Sequence, residues 1–122
     1  LVLFLQKKNK KGTGQAMDIR YEKNRLTAHL AGEIDHHNAA AVREPIDQAI
    51  AKLRPPRVRL DFAAVTFMDS SAVGLVMGRY KLLAAYDAAL EVVNLSPTGL
   101  RMMQMANLQS LALLKQKEEI SA

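Results

Sequence analysis

The residue types best placed to do chemistry in this chain are Asp69-Ser70-Ser71, two hydroxyls behind a carboxylate, between an apolar run ending at Met68 and a helix-patterned segment containing Gly74. A helix N-terminus leaves its first backbone N–H groups without partners and carries the positive end of the helix dipole, so hydroxyls there either cap the helix or sit where an anion is favoured. Pattern alone weighs the two readings about equally. A nucleophilic reading is weaker. The surroundings of Ser70 lack the Gly-x-Ser-x-Gly elbow, and a triad drawn from Ser70, Asp35 and one of His29, His36 or His37 uses residue types found in any small domain. Asp35-His36-His37 suggests a metal cluster, but adjacent histidines on a loop seldom converge on one ion, and no third imidazole or thiolate stands at a ligand spacing. These residues read better as polar groups leading into a helix, with Asp35 and Asn38 as its candidate caps.

Other constellations fall to their structural explanations. Neither glycine-rich phosphate loop is present, so nucleotide binding by such a loop is not expected. Arg54, Arg57 and Arg59 surround a Pro-Pro turn with few aromatics nearby, which suits a solvated face better than nucleic acid. Met102, Met103 and Met105 fall on a short amphipathic helix and are expected to fill core gaps.

The elements that must position these groups fit one domain. The chain has 122 residues, 49% hydrophobic and 24% charged, which excludes a multidomain enzyme. Its net charge of +5 is concentrated in Lys7, Lys8, Lys10 and Lys11; from Met17 onward 13 basic residues face 12 acidic ones, so the domain proper is close to neutral. The absence of cysteine excludes disulfides, thiolate zinc sites and Cys nucleophiles, and makes a cytoplasmic setting the expectation. The apolar run Leu1–Leu5 is far shorter than the ~18 residues of a membrane span. Residues 1–15, with their lysine run and Gly-Thr-Gly, are expected to be a flexible basic leader or cloning remnant outside the fold, and residues 16–122 the domain.

Along that domain, Asp18–Tyr21 and Arg25–Leu30 flank the polar Glu22-Lys23-Asn24 as a strand pair. Helical spacing over Asn38–Leu53 stops at Pro55-Pro56. Val58, Leu60 and Phe62 alternate with polar residues as a strand, Ala63–Met68 reads as a loop, and a helix follows from Asp69. Gly74 and Gly78 lie four apart on that helix, each at a cost of about 1 kcal/mol, and are expected to be packing devices for a close sheet or partner. Leu90–Leu95 is a short buried strand, Ser96-Pro97 caps a further helix, Ser110–Leu114 reads as a last strand and Lys115–Ala122 as a terminal helix. Alternating strands and helices give an α/β layer.

Two separate blocks carry a family resemblance. Phe67-Met68-Asp69-Ser70-Ser71-Ala72-Val73-Gly74-Leu75-Val76-Met77-Gly78-Arg79-Tyr80-Lys81 closely resembles the signature segment of the anti-sigma factor antagonists of the STAS family, those of sporulation above all. Gly32-Glu33-Ile34-Asp35-His36-His37 resembles a second segment of the same proteins. The resemblance implies a small mixed sheet of four or five strands with helices mainly on one side, no enzyme activity and no cofactor. It also implies a regulatory cycle. In the family the first Ser of the Asp-Ser-Ser run, here Ser70, is phosphorylated by the cognate anti-sigma factor, itself an ATP-dependent serine kinase. The unphosphorylated protein binds that factor and releases the sigma factor, and a serine phosphatase resets the switch. No direct contact with nucleic acid or membrane is implied. Glu33, Asp35, Asp69, Ser71 and Gly74 become candidates for the partner surface, with Asp35 serving equally well as a cap. Ser71 has the same chemistry as Ser70, and residue type does not choose between them. Ala72 stands where the sporulation proteins usually carry Gly. A STAS-type module of another signalling or transporter complex is the alternative.

Overall fold

The computed structural model describes the backbone of residues 2–8 and 16–118, with side chains from Met17 to Glu118. Val2–Lys8 (β1) pairs antiparallel with Ala16–Glu22 (β2), which turns back into Arg25–Ile34 (β3). Lys23 and Asn24 make that turn with φ of 52° and 62°, the left-handed pair whose twist matches the flanking strands. Ala39–Leu53 (α1) stops where Arg54 takes a φ of 43° before Pro55. Arg57–Met68 (β4), Ser71–Ala84 (α2), Ala89–Leu95 (β5) and Pro97–Met105 (α3) follow. A single 3-10 turn at Leu108–Ser110 leads into Leu113–Gln116 (β6).

The sheet order is β1-β2-β3-β4-β5-β6, antiparallel through β3 and parallel from β3 to β6. Each helix therefore connects two adjacent parallel strands in the same direction across the sheet, and right-handed crossovers place all three on one face. Burial agrees. Leu26, Ala28 and Leu30, Val58, Leu60 and Phe62, and Leu90 and Val92 point into a core closed by Ile46, Ile50, Leu75, Val76, Leu83 and Met103. Each large apolar side chain buried in this way contributes about 1.5–3 kcal/mol. The alternate positions, Thr27, His29, Arg59, Asp61 and Glu91, lie on the open face and are only half-buried.

Strands β2–β6 are the five-stranded mixed sheet that the family pattern implies. A sixth strand comes from within residues 1–15, because Val2–Lys8 occupies the edge of β2. The apolar, β-prone residues of this run meet an edge whose N–H and C=O groups would otherwise face water. Residues 9–15 lie outside the described residues.

Four local expectations are also revised. Ala63–Met68 is strand rather than loop, since it stays paired with the second half of β3 through two register shifts that each add one residue to β4. Gly74 and Gly78 are not packed against the sheet, for a methyl group at either would meet nothing within 4 Å. Met103 is in the core, but Met105 is 82% exposed at the end of α3. The last strand begins at Leu113 rather than Ser110, and Lys115 and Gln116 belong to it rather than to a helix; residues 119–122 of the expected terminal helix lie outside the described residues. Among the described residues no helix is long and apolar enough to cross a membrane.

Candidate functional site

Parallel pairing of β3 with β4 sets Glu33 beside Phe67 and Ile34 beside Met68. The loops that follow, Asp35–Asn38 and Asp69-Ser70, therefore leave the sheet side by side at the carboxyl ends of the strands, the edge at which open α/β sheets gather their functional groups. The Asp69 N–H donates to the Ile34 carbonyl at 3.1 Å, fixing the start of the second loop to the end of β3.

Asp69 organises the site. Its Oδ1 accepts the Ser71 N–H at 2.8 Å, and its Oδ2 accepts the His36 N–H at 3.3 Å and lies 3.5 Å from His36 Nδ1. The Ser71 N–H, helped by the Ser71 hydroxyl and by His36, holds the Asp69 carboxyl below the usual carboxylate range. It is therefore an anion at neutral pH. With Asp69 capping the first turn of α2, Ser70 is left without that duty: it takes the N-cap position, its side chain makes no capping bond, and it is exposed. Its carbonyl accepts the N–H groups of Val73 and Gly74 at 3.1 and 3.3 Å. Ser71 is half-buried.

Asp35 spends its side chain on its own loop, accepting the N–H groups of His37 and Asn38 at 2.9 and 3.2 Å. Asn38 makes no side-chain capping bond to α1; instead its Oδ1 accepts the Asp35 N–H at 2.9 Å and its Nδ2 donates to the Glu33 carbonyl at 2.6 Å. Neither Asp35 nor Asn38 therefore caps α1 with its side chain as the sequence suggested; both side chains instead fold the loop ahead of the helix, Asp35 in an Asx-type turn. The Glu33 side chain is exposed, and Gly74, one turn beyond Ser70, faces open space.

The structure thus gathers Glu33, Asp35, Asp69, Ser70, Ser71 and Gly74 at the end of β3, on the two loops and on the first turn of α2. It does not assemble the hydrolytic triad: His29 pairs with Asp61, His36 with Asp69, and Asp35 with backbone. Among the described residues no three His, Cys, Asp or Glu side chains converge to hold a metal ion. The roles of two residues were not read from the sequence. Phe67 is 54% exposed beside Glu33, a large apolar ring on the rim of an otherwise polar site. The alternation of Val58, Leu60 and Phe62 breaks at the two register shifts that follow, so it gave no signal for the exposure of Phe67. His36 fastens the two loops to each other, for which local sequence held no signal. The departure at Ala72 is absorbed quietly, its methyl group being fully buried.

Residues 16–119 match the STAS domain family. An anti-sigma F factor antagonist of Paenibacillus polymyxa is 32% identical over 92 residues, spanning 75% of this chain and 79% of the relative. The structure of the anti-sigma factor antagonist SpoIIAA in its unphosphorylated form superposes with a TM-score of 0.61 at 26% identity, covering 96% of this chain and 90% of that one. The Bacillus cell fate determinant SpoIIAA in its phosphorylated form gives 0.63 at 28% identity, covering 92% and 90%. Fold, paired loops and matched sequence agree that this chain belongs to the STAS domain family.

Proposed function

We propose that this protein is a cytoplasmic anti-sigma factor antagonist without catalytic activity of its own, which docks on an anti-sigma factor with serine kinase activity and is released from it by phosphorylation of Ser70. Docking of the bare form frees the sigma factor, and a serine phosphatase restores that form. The observation that carries this reading is the state of Ser70: an exposed hydroxyl at the mouth of α2, relieved of capping by Asp69 and therefore available to an incoming phosphoryl group. Ser71 is less suited, because it is half-buried and tied to Asp69. Relatives named as anti-sigma factor antagonists, and a structural neighbour known in phosphorylated and unphosphorylated forms, support the same reading.

The switch is electrostatic. A phosphate adds about −1.5 to −2 charges at neutral pH. The helix dipole accepts that charge with little rearrangement, so its cost falls on the interface, where it joins ionised Asp69 next to Glu33 and Phe67. A penalty of about 1–3 kcal/mol weakens binding about 5–150-fold, enough to reverse a competition for one partner. The partner surface comprises Glu33, Asp35, Asp69, Ser71 and Gly74; the bare helix stripe at Gly74 lets a partner's backbone come close.

The test is a pull-down of the cognate anti-sigma kinase with ATP and with ADP. Ser70→Ala stays bound in ATP, Ser70→Asp binds weakly in both, and mass spectrometry finds the phosphate on Ser70. Equal affinities for the two variants, or modification confined to Ser71, would overturn the proposal.

A further inference from the structure

On the open face of the sheet, away from the helices and at the opposite end of β3 from Ile34, a shallow depression of about 180 Å³ is lined by Arg20, Glu22, Arg25, Thr27, His29 and Arg59. Strand register explains it. Thr27 lies between Arg20 on β2 and Arg59 on β4, with Arg25 and His29 two residues away along its own strand. One short hydroxyl side chain is thus the floor of a ring of four basic groups, and Glu22 is the lone acid in the lining.

The bases on the β4 side are held in place from behind. Arg59 is clamped by Glu91 Oε2, 3.1 Å from Nε and 3.0 Å from Nη2, which leaves the rest of its donor fork unspent. His29 Nδ1 lies 3.0 Å from Asp61 Oδ2, and Asp61 Oδ1 accepts Asn94 Nδ2 at 2.8 Å and the Ala63 N–H at 2.9 Å. Such a carboxylate fixes the imidazole's orientation and leaves Nε2 for another partner. Arg20 stands 3.8 Å from Asp18, whereas Arg25 has no ion-pair partner among the described residues.

We propose that this depression binds a small oxyanion of the phosphate class. The Thr27 hydroxyl lies at its base, the guanidinium groups of Arg25 and Arg59 supply paired N–H donors, and Arg20 and the oriented imidazole of His29 border it. Guanidinium forks match the geometry of phosphate oxygens, and a hydroxyl donor at the floor adds a contact that lysine-rich surfaces lack. The site is separate from Ser70, so its failure would leave the phosphorylation switch untouched.

Titration of the 15N-labelled protein with inorganic phosphate, followed by amide shifts at ionic strength matched with chloride, tests this. Saturable shifts centred on Thr27, His29 and Arg59 are expected, with Ser70–Gly74 still. Arg25→Gln, on an arginine without an ion-pair partner among the described residues, weakens the apparent affinity about tenfold with an unchanged melting curve; Thr27→Val weakens it too. A parallel titration with glycerol phosphate separates sources: saturable shifts with both ligands support a site open to phosphate esters, and shifts with inorganic phosphate alone support a site for the free ion. The proposal is overturned by drift no different from that in chloride, by equal affinity in Arg25→Gln, or by shifts centred on Ser70–Gly74 instead.

Discussion

The two ends of α2 follow opposite electrostatic rules. At its start, Ser70 is an exposed hydroxyl without a capping bond, and Gly74 faces open space. Farther along, Arg79 is only 4% exposed: its Nε lies 2.7 Å from Asp47 Oδ1 on α1, and its Nη1–H donates to the Leu75 carbonyl at 3.3 Å. Charge added at the first place meets water and the positive end of a dipole. Charge removed at the second strands its partner between two helices. A charge that must come and go belongs where both states are hydrated, and one that never changes can hold helices together at a desolvation cost. That cost is visible at Asp47, whose carboxyl is pushed up by burial despite the opposing pull of Arg79 and Arg43.

The largest effect expected along this helix is at its buried end. Arg79→Met should cost about 2–4 kcal/mol in urea denaturation, because it leaves Asp47 only the weaker pull of Arg43, and adding Asp47→Leu should recover most of the loss. A double variant as unstable as the single one would place the cost in lost shape rather than stranded charge. The pH dependence has a definite sign. Asp47 keeps its proton in the folded state at pH values where the unfolded chain has released it, so this group's contribution to stability falls as pH rises from the ordinary carboxyl value of about 3.9 through its raised one. The fall should be larger in Arg79→Met and absent in the double variant.

At the exposed end the expected changes are smaller and opposite in direction. Gly74→Ala should stabilise the protein by about 0.5–1 kcal/mol in thermal unfolding, since the methyl group enters open space and Ala is the better helix former. The same variant should weaken anti-sigma factor binding if a partner uses that bare stripe. Ser70→Asp should raise stability by about 0.3–1 kcal/mol through the helix dipole. A clear loss of stability in either variant would mean that the first turn of α2 carries packing, and the contrast between the two ends would fail.

Much of the fold was legible because local chemistry and tertiary context agree. Lys23-Asn24 suits a tight turn, the apolar spacing of Val42, Ile46, Ala49, Ile50 and Leu53 stops at Pro55-Pro56, and Ser96-Pro97 opens α3, where Ser96 Oγ accepts the Gly99 N–H at 3.0 Å. Strand extent was less legible. β1 and the second half of β4 exist because a neighbouring strand offers unpaired backbone groups, a property of the partner rather than of the segment. The site divides in the same way. Asp69-Ser70-Ser71 announced a helix start, but the release of Ser70 from capping depends on the rotamer of Asp69 and on a loop 33 residues away.

The order of residues by itself determined the α/β class, the cap of α3, the stop of α1 and the carboxylate-hydroxyl pair at the mouth of α2, because each follows from spacing and side-chain chemistry within a few residues. Tertiary structure alone decided which hydroxyl makes no capping bond, that the glycine stripe faces outward, that Arg79 meets Asp47, and that four basic groups ring Thr27. Each of these depends on strand register or helix docking, which bring together atoms that the chain keeps tens of residues apart.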